Sequence, residues 1–121
     1  MSGEQILVVE DQRAVAGALQ MRLRGLGYDV TAIARDGFEA IEKATLLQPD
    51  LILMDIQMPV MGGYEATSEI RKIKKPKELP VLAMTAHAMA GEREKCIEAG
   101  MNDYVSKPID PNELFGTLVK W

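Results

Sequence analysis

Short apolar runs and amphipathic stretches alternate five times along the chain, and no other feature constrains the fold as strongly. Apolar runs of a few residues between turn-forming residues are typical of buried strands, whereas apolar residues spaced three or four apart are typical of helices. Strands are predicted over residues 6–9, 28–33, 81–85 and 103–106, and in a middle run that begins at Leu51. This alternation predicts an α/β fold of parallel strands, joined by right-handed crossovers, with helices on both faces.

Helices are predicted in the intervals between these strands. They run from residue 12 to 26, from 36, from 62, over about 90–99, and from 110. Gly27 occupies the usual position after a helix end, and Asp110, Pro111 and Glu113 form a typical capped helix start. The apolar spacing assigns these residues to the inner helix faces: Val15, Leu19, Leu23, Leu26, Ala40, Ile41, Ala44, Leu47, Ala66, Ile70, Ile73, Leu114, Leu118 and Trp121.

Length and composition are those of one soluble globular domain over residues 1–121. The net charge of −4 argues against general nucleic-acid binding, which needs a basic face. Cys96 is the only cysteine, which excludes an internal disulfide and a cysteine-based metal cluster, and we expect it to be a small core residue. The apolar runs are far shorter than the ~20 residues of a membrane span, and the first five residues are not a signal peptide. We therefore expect a cytoplasmic protein without a membrane segment.

Asp55 is the one carboxylate within the apolar middle strand. A carboxylate is costly there because burial disfavours its charged form. On this stretch alone, a cap for the following turn explains Asp55 as well as a functional role does. The neighbouring strand ends must decide between the two.

Polar residues follow the other predicted strands at the same end as Asp55. Glu10 and Asp11 follow the first strand, Thr85 ends the fourth, and Lys107 follows the fifth. In parallel α/β sheets, ligands bind beyond the carboxyl ends of the strands, so we expect these five side chains to converge. Taken singly, the acids and Thr85 can be helix caps and Lys107 a solvated loop charge, but their joint position favours a site.

The chemistry of this set indicates metal-assisted phosphoryl transfer. Three carboxylates repel one another, and Mg²⁺ relieves that repulsion while leaving coordination positions for phosphate oxygens. Glu10 and Asp11 are then the metal-holding acids, and Asp55 is the nucleophile that forms an aspartyl phosphate. Thr85 and Lys107 are the hydrogen-bond donor and the counter-charge for the transferred group.

Four motifs are spread across essentially the whole chain: Glu10-Asp11, the run from Asp55 to Gly63, Met84-Thr85-Ala86, and the run from Asp103 to Pro108. Together they resemble the receiver domain of two-component response regulators. The resemblance implies a flavodoxin-like (βα)5 fold with strand order 2-1-3-4-5. Within the family, the chain resembles both single-domain chemotaxis-type regulators and the receivers of hybrid histidine kinases. The segments around Met84 and Cys96 are most similar to the receivers of hybrid histidine kinases.

The resemblance also implies roles for individual residues. Asp55 accepts phosphoryl from a histidine kinase or a histidine phosphotransfer protein. Mg²⁺, or Mn²⁺ in its stead, is surrounded by Glu10, Asp11, Asp55 and the Gln57 backbone carbonyl, and the longer side chain of Glu10 allows a contact through water. The Lys107–Pro108 bond can be cis. The domain is not a classical turnover enzyme, although it catalyses its own phosphorylation and dephosphorylation.

Switching is implied by the same resemblance. On phosphorylation Thr85 moves inward and Tyr104 rotates after it. These movements change the face made by the fourth helix, fifth strand and fifth helix, which an effector or output domain contacts. A half-buried Tyr104 that never moves is the alternative. Small Ala86 leaves the phosphoryl approach open, and Gln57 and His87 modulate water access and phosphoryl lifetime.

Two surface features have competing interpretations. Met58, Met61 and Met89 are either an adaptable partner surface or packing residues. A basic group near the third helix end is predicted to be a solvated face that complements the helix dipole; it comprises Arg71, Lys72, Lys74, Lys75 and Lys77.

Rival functions remain at this point. A docking module that is independent of phosphorylation is one, although the intact set of acids argues against it. An aspartate-nucleophile phosphatase of the haloacid dehalogenase kind is another, but it needs an acid where Gln57 lies. No glycine-rich nucleotide loop is present. The chain ends at Trp121 within the predicted last helix, which slightly favours a receiver cut from a longer protein over a natural single-domain regulator.

Overall fold

Five parallel strands form one sheet, in the order β2-β1-β3-β4-β5, in the computed structural model of the chain. The structure describes residues 4–58, 60–75, 78–86 and 91–121. The strands are β1 (Gln5–Val9), β2 (Asp29–Ala34), β3 (Leu51–Asp55), β4 (Val81–Thr85) and β5 (Asp103–Ser106). The helices are α1 (Arg13–Gly25), α2 (Gly37–Leu47), α3 (Gly63–Arg71), α4 (Glu92–Glu98) and α5 (Pro111–Lys120). The predicted flavodoxin-like fold and its strand order are confirmed.

Two apolar layers cover the two faces of the sheet. Successive strand residues point to opposite faces, so Leu7 and Val9 belong to one layer and Ile6 and Val8 to the other. The first layer includes inner residues of α2, α3 and α4, and the second includes those of α1 and α5. All five residues of β3 are buried, because this strand lies in the middle of the sheet with a layer on each side. The Asp55 strand is therefore enclosed on both faces, as is its neighbour β4.

The helix starts follow the local signals in the sequence. The Asp36 carboxylate accepts from the Glu39 N–H at 2.9 Å at the start of α2, and Asp110 accepts from the Asn112 N–H at 2.9 Å at the start of α5. Glu113 does not complete the expected capping box in the described contacts. Its Oε1 instead accepts from the Ser106 N–H at 3.2 Å, which ties the first turn of α5 to the end of β5.

Gly63 allows α3 to begin directly against the end of β3. A Cβ at this position would lie 2.5 Å from the Asp55 carbonyl oxygen and 2.9 Å from Ile56 Cα, distances that no side chain could occupy. The Gly63 N–H donates to the Ile56 carbonyl at 2.9 Å. The glycine therefore fixes the first turn of α3, including Tyr64, close to Asp55.

Three predicted inner-face residues lie at the surface. Ile73 is 58% exposed because α3 ends at Arg71, before the apolar spacing does. Leu47 is 41% exposed at the last turn of α2, and Trp121 is 43% exposed after the end of α5. The predicted start of the fourth helix near residue 90 falls outside the described residues.

Arg71 contradicts the prediction of a solvated basic face. Its guanidinium donates to the backbone carbonyls of Gly100 at 2.7 Å, Leu79 at 2.8 Å and Lys74 at 3.3 Å, and to Asn102 Oδ1 at 2.9 Å. Burial lowers the pKa of Arg71. This side chain joins the end of α3 to the segments that enter β4 and β5, whereas Lys72 beside it is exposed; Lys77 lies outside the described residues.

Asp103 joins β5 to α4 and to the end of α5. Its buried carboxylate accepts from the Tyr104 N–H and from Arg93 Nη1, both at 2.9 Å, and from Trp121 Nε1 at 3.1 Å. Lys120 Nζ lies 3.6 Å from the same carboxylate. Burial opposes ionisation, but these donors and cations outweigh it and hold the pKa of Asp103 below its ordinary value.

Asp103 is therefore expected to contribute stability that acid removes. Because its pKa is lowered in the folded state, the contribution is complete above the unfolded pKa and disappears as pH falls through the lowered value. We expect Asp103→Asn to cost stability near neutral pH, with a difference from wild type that shrinks below about pH 4. Urea unfolding across this range measures the difference, with the exposed Asp29→Asn as control. A difference for Asp103→Asn that stays constant with pH would contradict the assignment.

Candidate functional site

The predicted polar side chains meet at the carboxyl edge of the sheet, meaning the edge where the parallel strands end. Glu10 follows β1, Asp55 ends β3 and Thr85 ends β4. β1 and β3 are neighbours, with Val9 opposite Met54, and the chain order of the strands reverses between them. A cavity of about 250 Å³ at this edge is lined by Asp11, Gln12, Asp55, Gln57, Met84, Thr85, Ala86 and Lys107. The convergence expected from the topology is therefore present.

Glu10, Asp11 and Asp55 form an acidic cluster. Each offers a carboxylate oxygen, and the three oxygens lie within 4.8 Å of one another. Glu10 and Asp55 are 1% and 5% exposed, and Asp11 is half-buried. Three hard oxygen ligands that repel one another at the edge of a cavity fit Mg²⁺, which binds by one or two carboxylates and completes its shell with water. The donor set of this chain therefore suits a divalent cation.

Lys107 neutralises part of the charge of the acidic cluster. Its Nζ lies 2.7 Å from Glu10 Oε1 and 3.4 Å from Asp55 Oδ2. Burial by itself lowers the pKa of Lys107, but the hydrogen bond to Glu10 and the charge of Asp55 outweigh it and raise that pKa. The ammonium is therefore held charged beside Asp55.

Glu10 is more enclosed than the sequence indicated. Oε1 accepts from Lys107 and Oε2 accepts from the Gln12 N–H at 3.2 Å, so both oxygens have a donor. Burial, reinforced by the charge of Asp55, raises the pKa of Glu10 despite these bonds. A nearby cation would favour the charged form of this buried acid.

The backbone after β3 also contacts Asp55. The Gln57 N–H donates to Asp55 Oδ1 at 3.3 Å, and the Gln57 side chain is exposed beside the cavity. Ala86 is exposed and lines the cavity without filling it. His87 lies outside the described residues, as does Met89. The Lys107–Pro108 peptide bond is cis, as the resemblance allowed.

Thr85 is buried at the end of β4 and its hydroxyl donates to Glu92 Oε1 at 3.2 Å. The same Glu92 oxygen accepts from the Tyr64 hydroxyl at 3.3 Å, and Tyr64 also lies 3.9 Å from Cys96 Sγ. Sequence reasoning did not identify Glu92 or Tyr64 as site residues. An acid in the first turn of a helix is too common a feature to single Glu92 out.

Four further residues that the sequence analysis named lie in or against one apolar layer. Tyr104 is half-buried on β5 and packs against the apolar layer that includes α3 and α4 residues. Met58 and Met61 are partly buried against the same layer, which favours packing over an exposed partner surface. Cys96 is fully buried, as expected of a small core residue.

Comparisons with known proteins agree with this geometry. Residues 6–119 match the family model described as "Response regulator receiver domain". The chain is 42% identical over 98% of its length to "Hybrid signal transduction histidine kinase I" of Dictyostelium discoideum. It is 47% identical over 70% of its length to "Signal transduction histidine-protein kinase BarA" of Escherichia coli. The chain spans only 7% and 9% of the lengths of these two relatives.

A solved structure extends the comparison to the site. The chain is 43% identical, with a TM-score of 0.88, to the receiver domain of the sensor histidine kinase PA1611 from Pseudomonas aeruginosa. The match covers 99% of this chain and 98% of that one, and the PA1611 receiver was solved with a magnesium ion coordinated in its active site cleft.

Within the described part of the present chain, none of the helices has the length and apolar character needed to cross a membrane.

Proposed function

The chain belongs to the receiver domains of response regulators, and from this premise we propose that it accepts a phosphoryl group on Asp55 and acts as a switch in two-component signalling. One observation carries the proposal: Asp55, at the end of the central strand, lies close to two other acids and to the Lys107 ammonium. Residues 1–121 are proposed to form a single receiver domain. It is a signalling module and not a classical enzyme.

The donor is a phosphohistidine on a histidine kinase or a histidine phosphotransfer protein. An oxygen of ionised Asp55 attacks phosphorus, the P–N bond to the imidazole breaks, and the leaving nitrogen keeps the electron pair and takes a proton. The fully buried β3 holds this nucleophile in a fixed position, which reduces the entropy lost on reaching the transition state. The side chains around it act on the transferred group.

The acidic cluster would hold Mg²⁺ through Glu10, Asp11 and Asp55, together with the Gln57 backbone carbonyl. Bound Mg²⁺ supplies positive charge against the oxygens of the transferred phosphoryl group. Mn²⁺ prefers the same oxygen ligands and is proposed as a substitute. Lys107 is close enough to Asp55 to contribute a second positive charge, and the Thr85 hydroxyl is a donor for a phosphoryl oxygen.

Loss of the phosphoryl group is proposed to depend on Gln57, Ala86 and His87. Water attacks phosphorus and the bond between phosphorus and the Asp55 oxygen breaks, which regenerates the carboxylate. Exposed Gln57, and His87 two positions after Thr85 in the sequence, are proposed to limit or orient that water, while small Ala86 leaves the approach to the phosphoryl group open. Gln57 and His87 would therefore set phosphoryl lifetime more than metal affinity.

The signal is proposed to leave through the face formed by α4, β5 and α5. Movement of Thr85 toward the phosphoryl group would free space for the half-buried Tyr104, whose strand forms part of this face. The partner there is a downstream effector or an output domain, with no direct contact to nucleic acid or membrane. The proposal includes a cytoplasmic location, because lone Cys96 fits a reducing compartment.

Acetyl phosphate provides the test, since it supplies a phosphoryl group without a kinase. We expect wild-type protein with Mg²⁺ to gain the mass of one phosphoryl group, and the gain to disappear in EDTA and in Asp55→Asn. Intact-protein mass spectrometry measures it. No adduct on wild type, or an equal adduct on Asp55→Asn, would favour the rival hypothesis of a docking module that is independent of phosphorylation.

A further inference from the structure

Glu92 connects the predicted switch residue to two helices. A single oxygen, Oε1, accepts hydrogen bonds from Thr85 on β4 and from Tyr64 on α3, while Glu92 itself is the first residue of α4. A glycine directly precedes each of Tyr64 and Glu92 and sets the backbone there. Gly63 brings Tyr64 close to the end of β3, and Gly91, with a φ of +92°, starts α4 in a conformation that favours glycine.

The Thr85 hydroxyl has one hydrogen to donate. In the structure this hydrogen is directed to a carboxylate on α4, and hydrogen bonds to ionised acceptors are about twice as strong as neutral ones. A phosphoryl group on Asp55 would need the same hydrogen, because Thr85 lines the cavity together with Asp55. Glu92 and the phosphoryl group therefore compete for one donor.

We propose that Glu92 is a positioning residue which holds the Thr85 hydroxyl toward α4 and so opposes the phosphorylated state. The inference rests on the proposed function, since it concerns the same Asp55 site. When the donor passes to the phosphoryl group, Glu92 loses one of its two hydroxyl partners at the first residue of α4. The contact would thus link the reaction at Asp55 to the start of α4 and, through Tyr64, to α3.

Tyr64 is suited to remain on Glu92 during this exchange. Burial, together with Cys96 and Glu92, raises the pKa of Tyr64, which keeps its hydroxyl protonated and able to donate. The Tyr64 hydroxyl also lies near Cys96 on the next turn of α4. Glu92 therefore keeps a donor after Thr85 leaves, which lowers the cost of the exchange.

The test is the rate of phosphorylation by acetyl phosphate at saturating Mg²⁺. Glu92→Ala should increase the rate about fivefold, which corresponds to about 1 kcal/mol, because the hydroxyl no longer has to leave a carboxylate. Glu92→Gln retains an acceptor without its charge and should give a smaller increase. Glu94→Ala removes an exposed acid from the same first turn and should leave the rate unchanged.

A double-mutant cycle separates positioning from a structural role. In a Thr85→Val background, Glu92→Ala should no longer change the rate, because the shared donor is gone. An increase that persists without Thr85, or a Glu92→Ala rate equal to or below wild type, would overturn the inference. If Glu92→Ala does not fold, the same rates are compared for Glu92→Gln, with Thr85 present and with Thr85→Val. Failure of the proposed function is a distinct result, since wild type would then take up no phosphoryl group at all.

Discussion

Replacement of Lys107 by methionine is expected to slow phosphorylation of Asp55 by about two to three orders of magnitude, the usual cost of removing one preorganised electrostatic contact from an active site. The Lys107 ammonium lies 3.4 Å from Asp55 Oδ2 and is the nearest cation to it among the described ion pairs. Methionine keeps most of the length of the side chain but removes the charge. The rate with acetyl phosphate at saturating Mg²⁺ measures the loss.

The same substitution should destabilise the metal-free protein by about 3 kcal/mol, because it leaves the buried Glu10 without its closest cation. Mg²⁺ should recover part of this loss, since it replaces positive charge at the acidic cluster. Lys107→Arg is the control, because it keeps the charge while changing the shape of the donor. A Lys107→Met protein that is phosphorylated near the wild-type rate would show that the ammonium has no role in transfer.

Replacement of Arg71 by methionine is expected to lower the free energy of unfolding by about 3 kcal/mol, because hydrogen bonds to charged groups are worth more than neutral ones. The guanidinium donates to three backbone carbonyls and to Asn102 Oδ1, and methionine leaves these acceptors without that donor. Urea unfolding measures the change. Phosphorylation should continue near the wild-type rate, since Leu79 and Asn102 precede β4 and β5 at the end of the sheet opposite Asp55.

Lys72→Met is the matched control for Arg71. Lys72 follows Arg71 directly, its side chain is 69% exposed, and its described ion pair is a surface pair with Glu69. Exposed pairs of this kind contribute between zero and about 1 kcal/mol, so Lys72→Met should change stability little. Equal effects of the two substitutions would contradict the structural role of Arg71 and support the solvated face that the sequence indicated.

Local sequence signals predicted the scaffold well because each depends on neighbouring residues. The bounds of β4 and β5 match the predicted 81–85 and 103–106, and Asp110 caps α5 as expected. Elements shift where the local pattern is ambiguous. β2 runs from Asp29 to Ala34 instead of 28–33, because pairing of Ala34 with Val9 determines its end.

Contacts between distant residues could not be predicted in the same way. The general rule for parallel sheets predicted that Glu10, Asp55 and Lys107 lie at one edge. It could not predict the 2.7 Å contact between Glu10 and Lys107, which are 97 positions apart. The buried role of Arg71 and the two hydrogen bonds to Glu92 oxygen Oε1 also depend on where separate elements pack. Both residues looked like ordinary surface charges in the sequence.

The central claim is that Asp55 itself carries the phosphoryl group, and chemical mapping tests it most directly. Borohydride reduces an aspartyl phosphate to homoserine, so treated protein can be digested and the modified position read by tandem mass spectrometry. We predict homoserine at position 55 after incubation with acetyl phosphate and Mg²⁺, and none without Mg²⁺. Reduction at Asp11, at another acid, or at no position in a protein that has gained a phosphoryl group would contradict the account.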